Sequence, residues 1–338
     1  MTNEIVILGG ARTAIGTFGG ALAATPPTEL GRIVAAEAMQ RAGVAPDQIG
    51  HVVFGNVINT EPRDMYLSRV AAREAGVPDE VPAMNVNRLC GSGVQAIVSA
   101  AQNLMLGDAD FALAGGSESM SRSPYIMQNA RWGQKMGDVR TLDMMLGTLN
   151  CPFGTGHMGV TAENVAAEHD ISRADQDGFA LSSQERAAAA IEAGYFKDQI
   201  VPVDVKVKRD TVAFDTDEHP KATSAEALAG LRPAFQKDGS VTAGNASGIN
   251  DGAAALALAR ARAASPWRVG DARADDGRGV SVRSAWLERP RRPRLHPGQR
   301  LRRARARAPS LWAQGAWATA EPARLGPTPF RNWTGRSS

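Results

Sequence analysis

Short apolar segments alternate with helical ones along the first 116 residues, and this alternation constrains the fold more than any other feature of the sequence. The apolar segments, which predict buried strands, are 4–9 (ended by Gly9-Gly10), 51–55, 83–87 and 111–116. The segments with helical spacing are 28–42, with Thr28 as cap and Gly43 as stop, 66–75 and 94–106. Strands and helices that alternate in this way predict an α/β fold in which helices pack against a sheet.

Residues 117–260 interrupt the alternation. Loops containing Met, Gly and Arg precede a helical stretch at 161–193 and a strand-like segment at 199–207. A glycine-containing loop then leads into the apolar run 253–259, which by its pattern alone is a strand or a helix. We interpret 121–240 as a loop or lid region carried on a domain that is formed by residues 1–120 and about 241–260.

Residues 261–338 differ from the rest of the chain in composition. They contain 17 of the 38 basic residues, all arginine, and 5 of the 35 acidic ones, so their net charge is +12 against −9 for residues 1–260. They also contain five of the six tryptophans but no Lys, Ile or Met. One interpretation is a disordered basic tail that binds an anionic polymer. The other, which we favour, is out-of-frame translation of GC-rich DNA.

The overall composition excludes several classes of protein. Hydrophobic residues make up 43% and charged residues 22% of the 338 residues, as in soluble globular proteins, and no apolar run predicts a transmembrane helix. The first residues lack the pattern of a secretory signal. Two cysteines do not form a disulfide framework, so we expect a cytoplasmic location. No His, Cys and carboxylate cluster has metal-ligand spacing, and we expect no metal.

Cys90 is the candidate nucleophile. It lies between a predicted strand and a predicted helix, in NRLCGSG at 87–93. Unpaired N–H groups and the positive end of the helix dipole favour the thiolate, which is the nucleophilic form of cysteine. Gly91 and Gly93 leave room for a substrate, and the same N–H groups could stabilise an oxyanion. The residues alone leave a buried structural cysteine open as the alternative.

Several segments of residues 4–260 resemble thiolases, in the order and spacing of that family. They are RTAIGTFG at 12–19, GNV at 55–57, NRLCGSG at 87–93, GGSESMS at 115–121, HMGVTAEN at 157–164, LRPAF at 231–235 and GNASGINDG at 244–252. Together with EPRDMY at 61–66, the pattern is most similar to bacterial β-ketothiolases of the acetyl-CoA acetyltransferase type.

The resemblance implies roles for particular residues. Cys90 matches the cysteine that takes the acyl group as a thioester, and Lys221 is a possible phosphate contact. The positions that match the lining of the CoA pocket are Leu149, His157, Met158, Phe235, Ala243 and Ser247. CoA and acyl-CoA are then substrates, and no bound cofactor is expected. A homo-oligomer, a tetramer in the family, is implied, with residues 121–146 at the position of the assembly loop. Neither a membrane nor a nucleic acid is an expected partner.

The sequence departs from the family after about residue 260. The family takes a histidine from a Gly-His-Pro motif, a second cysteine from a Cys-x-Gly motif and an asparagine from an Asn-Glu-Ala-Phe motif. None of the three occurs here. We therefore expect a thiolase-like layered fold whose C-terminal domain is missing or replaced, and an acyltransferase that is impaired as written. The alternative is a non-catalytic CoA-thioester-binding protein with a basic tail that binds polyanions.

Overall fold

The computed structural model describes residues 4–264 except Gln134, so the predicted tail at 261–338 lies almost entirely outside the described residues. The strands are β1 (Ile5–Arg12), β2 (Gly16–Thr17), β3 (Ile49–Gly55), β4 (Ala83–Val86), β5 (Phe111–Ser119), β6 (Tyr125–Met127), β7 (Thr141–Asp143), β8 (Asn150–Cys151), β9 (Gly156–His157), β10 (Val203–Val207), β11 (Asp210–Phe214) and β12 (Asn250–Arg260). The α-helices are α1 (Pro27–Ala42), α2 (Leu67–Glu74), α3 (Ser92–Leu106), α4 (Met144–Leu149), α5 (Met158–Glu168), α6 (Arg173–Glu192) and α7 (Ala225–Ala229).

The main sheet is mixed and has the strand order β1-β12-β5-β3-β4, with β2 paired to the start of β12. Strands β5, β3 and β4 are parallel, whereas β12 is antiparallel to both of its long neighbours. The three parallel strands are joined by α2 and α3, as connections between parallel strands require. Their carboxyl ends therefore meet at one edge of the sheet.

Helices cover both faces of this sheet, which gives the layered α/β arrangement. One apolar cluster contains α1 residues such as Leu30 and Val34 packed against Phe54 and Leu113 of the sheet. The other contains Ala96, Ala100 and Leu104 of α3. Because these three side chains face the sheet, the opposite side of α3 is left exposed, and that side is also apolar. Its exposed residues include Val94, Val98 and Leu106.

The first helix and the first strand differ from their predictions. Thr28 lies inside α1 and does not cap it, because the helix already begins at Pro27, whose missing N–H costs nothing in the first turn. Strand β1 does not end at Gly9-Gly10, and it is half-buried because it lies at the end of the described sheet, beside β12. A Cβ atom on Gly9 would lie 2.9 Å from the Ala42 nitrogen, so this glycine lets α1 approach the strand.

The structure also corrects the prediction for one later segment and decides between the two alternatives for another. The helical stretch predicted at 161–193 is two helices, since Asp170 adopts a φ of 52° and the Ser172 hydroxyl caps α6 by accepting a hydrogen bond from the Asp175 N–H. The apolar run 253–259 belongs to β12, which lies between β1 and β5. Within the described part of the chain, no helix is long and apolar enough to cross a bilayer, and no group of three His, Cys, Asp or Glu side chains could hold a metal ion.

Candidate active site

Cys90 lies on a tight turn between β4 and α3. Leu89, immediately before it, has a φ of 48°, in the left-handed region that residues with a side chain adopt only at a cost. The Ser92 hydroxyl accepts a hydrogen bond from the Arg88 N–H at 2.9 Å and donates one to the Leu89 carbonyl at 2.6 Å. The Leu89 N–H donates to the Asn87 side chain at 3.0 Å. The turn is thus held by its own side chains, and Cys90 is exposed on it.

The helix that follows Cys90 begins with an open first turn. Gly91 is the N-cap of α3 and provides no side chain to cap it. A Cβ atom on Gly93 would meet no other atom within 4 Å, so the space beside this residue is open. Uncapped N–H groups at a helix start attract negative charge. The exposed thiol therefore lies one residue before a helix end that can accept an anion.

The Cys90 turn and the glycine-containing loop at 244–248 lie at the same edge of the sheet. Cys90 follows the carboxyl end of β4, and the loop leads into β12, where Asp251 pairs with Ser119 at the carboxyl end of β5. Three strand spacings separate β12 from β4, or roughly 14 Å. Ligands of open α/β sheets bind outside the carboxyl ends of the parallel strands. The position suits a ligand that extends from this loop to the thiol.

His157 and Phe235, two of the predicted pocket residues, are in contact. Their rings stack with centroids 4.9 Å apart at 17° between planes. His157 caps α5, because its Nδ1 accepts a hydrogen bond from the Gly159 N–H at 3.0 Å. A Cβ atom on Gly159 would lie 2.2 Å from the Phe235 ring, so only glycine leaves room for this stack. Met158, the first residue of α5, is exposed.

Glu163 connects α5 to the turn that contains Ala243. Its carboxylate accepts hydrogen bonds from the Ser240 N–H at 2.9 Å, the Ser240 hydroxyl at 2.9 Å and the Val241 N–H at 2.8 Å. Burial raises the pKa of Glu163, but these hydrogen bonds outweigh it and the pKa is lowered. Farther along the turn, Asn245 donates to Asp177 of α6 at 2.8 Å. This turn is therefore fixed to both α5 and α6.

The remaining predicted residues are placed separately. Leu149 ends α4, Ala243 is exposed, and the exposed Ser247 hydroxyl makes only a long 3.4 Å contact with the Gly248 carbonyl. The described residues form no hydrogen bond or ring stack between Cys90 and any of the six predicted pocket residues. Their joint role in binding CoA stays a prediction.

Glu118 is a partly buried ionisable group at this edge that the sequence did not predict. Burial raises its pKa to about 7, although hydrogen bonds from the backbone of Ile58 and Val57 lower it. It lies within the GGSESMS segment at 115–121, but nothing in that pattern distinguishes a carboxylate that will be buried. Cys151, predicted to be structural, is partly exposed, and hydrogen bonds from the Phe153 backbone and from Thr155 lower the pKa of its thiol.

Comparison with known sequences identifies the same family as the motifs. The profile "Thiolase, N-terminal domain" matches residues 5–262. The "Beta-ketothiolase BktB" of Cupriavidus necator is 62% identical over 260 residues, which are 76% of this chain and 66% of that protein. An "Acetyl-CoA acetyltransferase" of Syntrophomonas wolfei is 49% identical over 260 residues, 76% of this chain and 65% of that protein. The chain thus spans slightly less than two thirds of these relatives.

Comparison with solved structures identifies the same family as the sequence comparison. The crystal structure of the Bacillus anthracis acetyl-CoA acetyltransferase has a TM-score of 0.75 at 46% identity and covers 78% of this chain and 67% of its own. Human mitochondrial 3-ketoacyl-CoA thiolase in complex with CoA has a TM-score of 0.73 at 40% identity, over 78% of this chain and 66% of its own. These similarities confirm the predicted α/β, thiolase-like fold. Since the profile also matches more than half of the sequence, the chain belongs to the thiolase family.

Proposed function

We propose that this chain is a thiolase-type acyltransferase in which Cys90 accepts an acyl group from acyl-CoA as a thioester. In this step the Cys90 Sγ forms a bond to the acyl carbon, and the bond between that carbon and the CoA sulfur breaks. CoA leaves as a thiolate and takes up a proton. The observation that carries the proposal is the exposed Cys90 on a strained turn, beside an uncapped helix start at the carboxyl edge of three parallel strands.

The CoA part of the substrate would lie between the lid region and the glycine-containing loop. The His157–Phe235 stack and the exposed Met158 offer an apolar wall, and the loop with Ser247 lies at the same sheet edge as Cys90. We assign Leu149 and Ala243 to the same pocket on the family resemblance. The names of the relatives support acetyl-CoA and 3-ketoacyl-CoA as substrates, with CoA a substrate and not a bound cofactor.

We propose that the complete reaction is impaired in the 338-residue chain. Carbon–carbon bond formation needs a base and an acid that move protons at the reacting carbon. The three family motifs that provide these groups are absent from the sequence. Groups of this kind act as a unit, so their loss should reduce turnover by several orders of magnitude, roughly 10³-fold or more. Acyl transfer to Cys90 requires fewer of these acid and base groups, so it should persist at a reduced rate.

We further propose a cytoplasmic homo-oligomer assembled through the β6–β7 hairpin arm, residues 121–146. This arm exposes several large apolar side chains, which are Tyr125, Ile126, Met127, Trp132 and Val139. Exposed apolar clusters of this kind on a folded domain commonly mark protein–protein contacts. The arm also corresponds to the family's assembly loop by position.

A non-catalytic CoA-thioester-binding protein is the second candidate. The observation that favours it is the charge of +12 on residues 261–338, which suits binding to an anionic polymer. In that case CoA thioesters would bind without forming a covalent adduct, and binding to nucleic acid would weaken steeply with salt.

The test is acylation of the full chain by acetyl-CoA, followed by peptide mass spectrometry. We expect an acetyl group on Cys90 in the wild type and in Cys151→Ser, and none in Cys90→Ser. Cys151→Ser is the matched control, because it removes the other thiol of the chain. If acetyl-CoA binds and no adduct forms on Cys90, the proposal of an acyltransferase is wrong. The proposal of a non-catalytic binding protein then takes its place.

A further inference from the structure

A partly buried carboxylate, that of Glu118, holds the turn that follows β3, residues 56–58, which we call the β3 turn. The Glu118 Oε2 accepts a hydrogen bond from the Val57 N–H at 2.8 Å, and Oε1 accepts one from the Ile58 N–H at 3.0 Å. Oε1 also accepts a longer one from the Asn56 side-chain amide at 3.3 Å. Three consecutive residues of the β3 turn are thus bound by one side chain at the end of β5.

The β3 turn and Gly55, the residue immediately before it, touch the elements on both sides of Cys90. The Asn56 N–H donates to the Val86 carbonyl, the last residue of β4, at 3.2 Å. At Gly55, which ends β3, an added Cβ would lie 2.8 Å from both the carbonyl carbon and the Cβ of Ser92, so the first turn of α3 packs directly on it. A shift of the β3 turn would therefore move the strand end before Cys90, the helix start after it, or both.

The charge on Glu118 determines how many of these hydrogen bonds it can accept. As a carboxylate it accepts from all three N–H donors, whereas a protonated carboxyl has one oxygen that donates and must turn away from a backbone N–H. The pKa of Glu118 is raised to about 7, mainly by burial and to a smaller extent by the nearby Asp64 carboxylate, while the backbone hydrogen bonds of the β3 turn lower it. The β3 turn itself adds no ionisable group. The Asp64 carboxylate accepts hydrogen bonds from the Thr60 hydroxyl and the Glu61 N–H, and these two residues also contact Arg122, which forms an ion pair with the Glu61 carboxylate.

We propose that Glu118 is a positioning residue for Cys90: its carboxylate fixes the β3 turn and thereby the strand end and helix start that hold the thiol. This role rests on the proposed function of Cys90 as the acyl acceptor. It assigns Glu118 no contact with the substrate. Its effect is fully present above the pKa of Glu118 and is lost as the pH falls through it.

The test compares the reactivity of Cys90 in the wild-type chain and in Glu118→Gln, which resembles the protonated side chain at every pH. The rate of alkylation of Cys90 by iodoacetamide is measured by peptide mass spectrometry from about pH 5.5 to about pH 8.5, on either side of the Glu118 pKa. We expect the ratio of wild-type to variant rates to be about one at the acid end. It should rise to about threefold to tenfold at the alkaline end, as expected for one lost hydrogen bond.

Two internal comparisons separate this effect from others. Cys151 in the same chain should be alkylated equally in both proteins, and Glu185→Gln, the same change at an exposed position, should leave Cys90 unchanged. A ratio that is one throughout, or constant above one, contradicts the proposal, because a merely structural loss does not depend on pH. A ratio below one at high pH also contradicts it, since it marks charge repulsion of the thiolate.

Amide hydrogen exchange of the wild type keeps the proposal testable if Glu118→Gln does not fold. Protection of the Val57 and Ile58 amides, corrected for intrinsic exchange, should increase as the pH rises through about 7. The absence of that increase would overturn the assignment. Iodoacetamide needs no acyl-CoA site, so the alkylation test remains valid even if acetyl-CoA does not acetylate Cys90. Conversely, a negative result in the alkylation test contradicts only the role of Glu118 and not the proposed acyltransferase function.

Discussion

Leu89 shapes the Cys90 turn through its backbone conformation, and its side chain adds little. Its φ of 48° is one that glycine adopts freely and other residues adopt at a cost of roughly 1–2 kcal/mol. The side chain is 56% exposed, so packing does not offset that cost. Local strain of this kind is concentrated at functional sites, where surrounding contacts maintain it. Here the contacts are those of Ser92 and Asn87.

If Leu89 is strained, Leu89→Gly should be more stable than Leu89→Ala, by about 0.5–1 kcal/mol. At an ordinary helical position the order is reversed, and the exposed Gln102 of α3 provides that control. There the glycine variant should be less stable than the alanine variant by about 1 kcal/mol. Urea unfolding with matched slopes gives the four free energies. The same order at both positions would show that the Cys90 turn stores no strain.

Single residues could be identified from sequence where their chemistry depends on near neighbours. Cys90 could be found because a strand, a cysteine, two glycines and a helix follow one another within a few residues. Glu118 could not, because its burial and its donors depend on residues about sixty positions earlier. The His157–Phe235 stack joins residues still farther apart, and only the family resemblance placed both in one pocket.

At the scale of secondary-structure elements, the type of each helix or strand was predicted more reliably than the residues at which it begins and ends. The helix stop at Gly43 is confirmed, since this residue adopts the left-handed conformation that ends a helix. The type of β12 could not be predicted, because an alanine-rich run suits a strand buried on both faces as well as a helix. Its small side chains fit because helices pack on both faces of the sheet.

The two faces of α3 give the next prediction. Leu104 is fully buried against the sheet, whereas Leu106, two residues later, is 79% exposed. Leu104→Ala should reduce the free energy of unfolding by about 2–5 kcal/mol, since it leaves a cavity in the core. Leu106→Ala should change it by less than about 0.5 kcal/mol. Urea unfolding measures both, and comparable losses would mean that Leu106 is covered by some other part of the protein.

The order of strands across the whole sheet could not be predicted from local sequence patterns. Strand β12 pairs with β5 although the lid region separates them along the chain, with Asp251 opposite Ser119. No periodicity encodes such a pairing, because it depends on apolar faces that many short strands share. The resemblance to thiolases implied the arrangement as a whole. The boundaries proposed for the lid region, 121–240, stay a prediction.

The assembly of the whole molecule gives the last prediction. Trp132 on the hairpin arm is 82% exposed, and large aromatic residues contribute most to the affinity of protein interfaces. If the arm joins copies of this chain, Trp132→Ser should weaken self-association by about tenfold or more, measured by sedimentation velocity across a concentration series. Phe153→Ser is the matched control, because Phe153 is 93% exposed and lies outside the arm. Dissociation by Phe153→Ser alone would place the interface elsewhere, and a wild type that sediments as a monomer would exclude the oligomer.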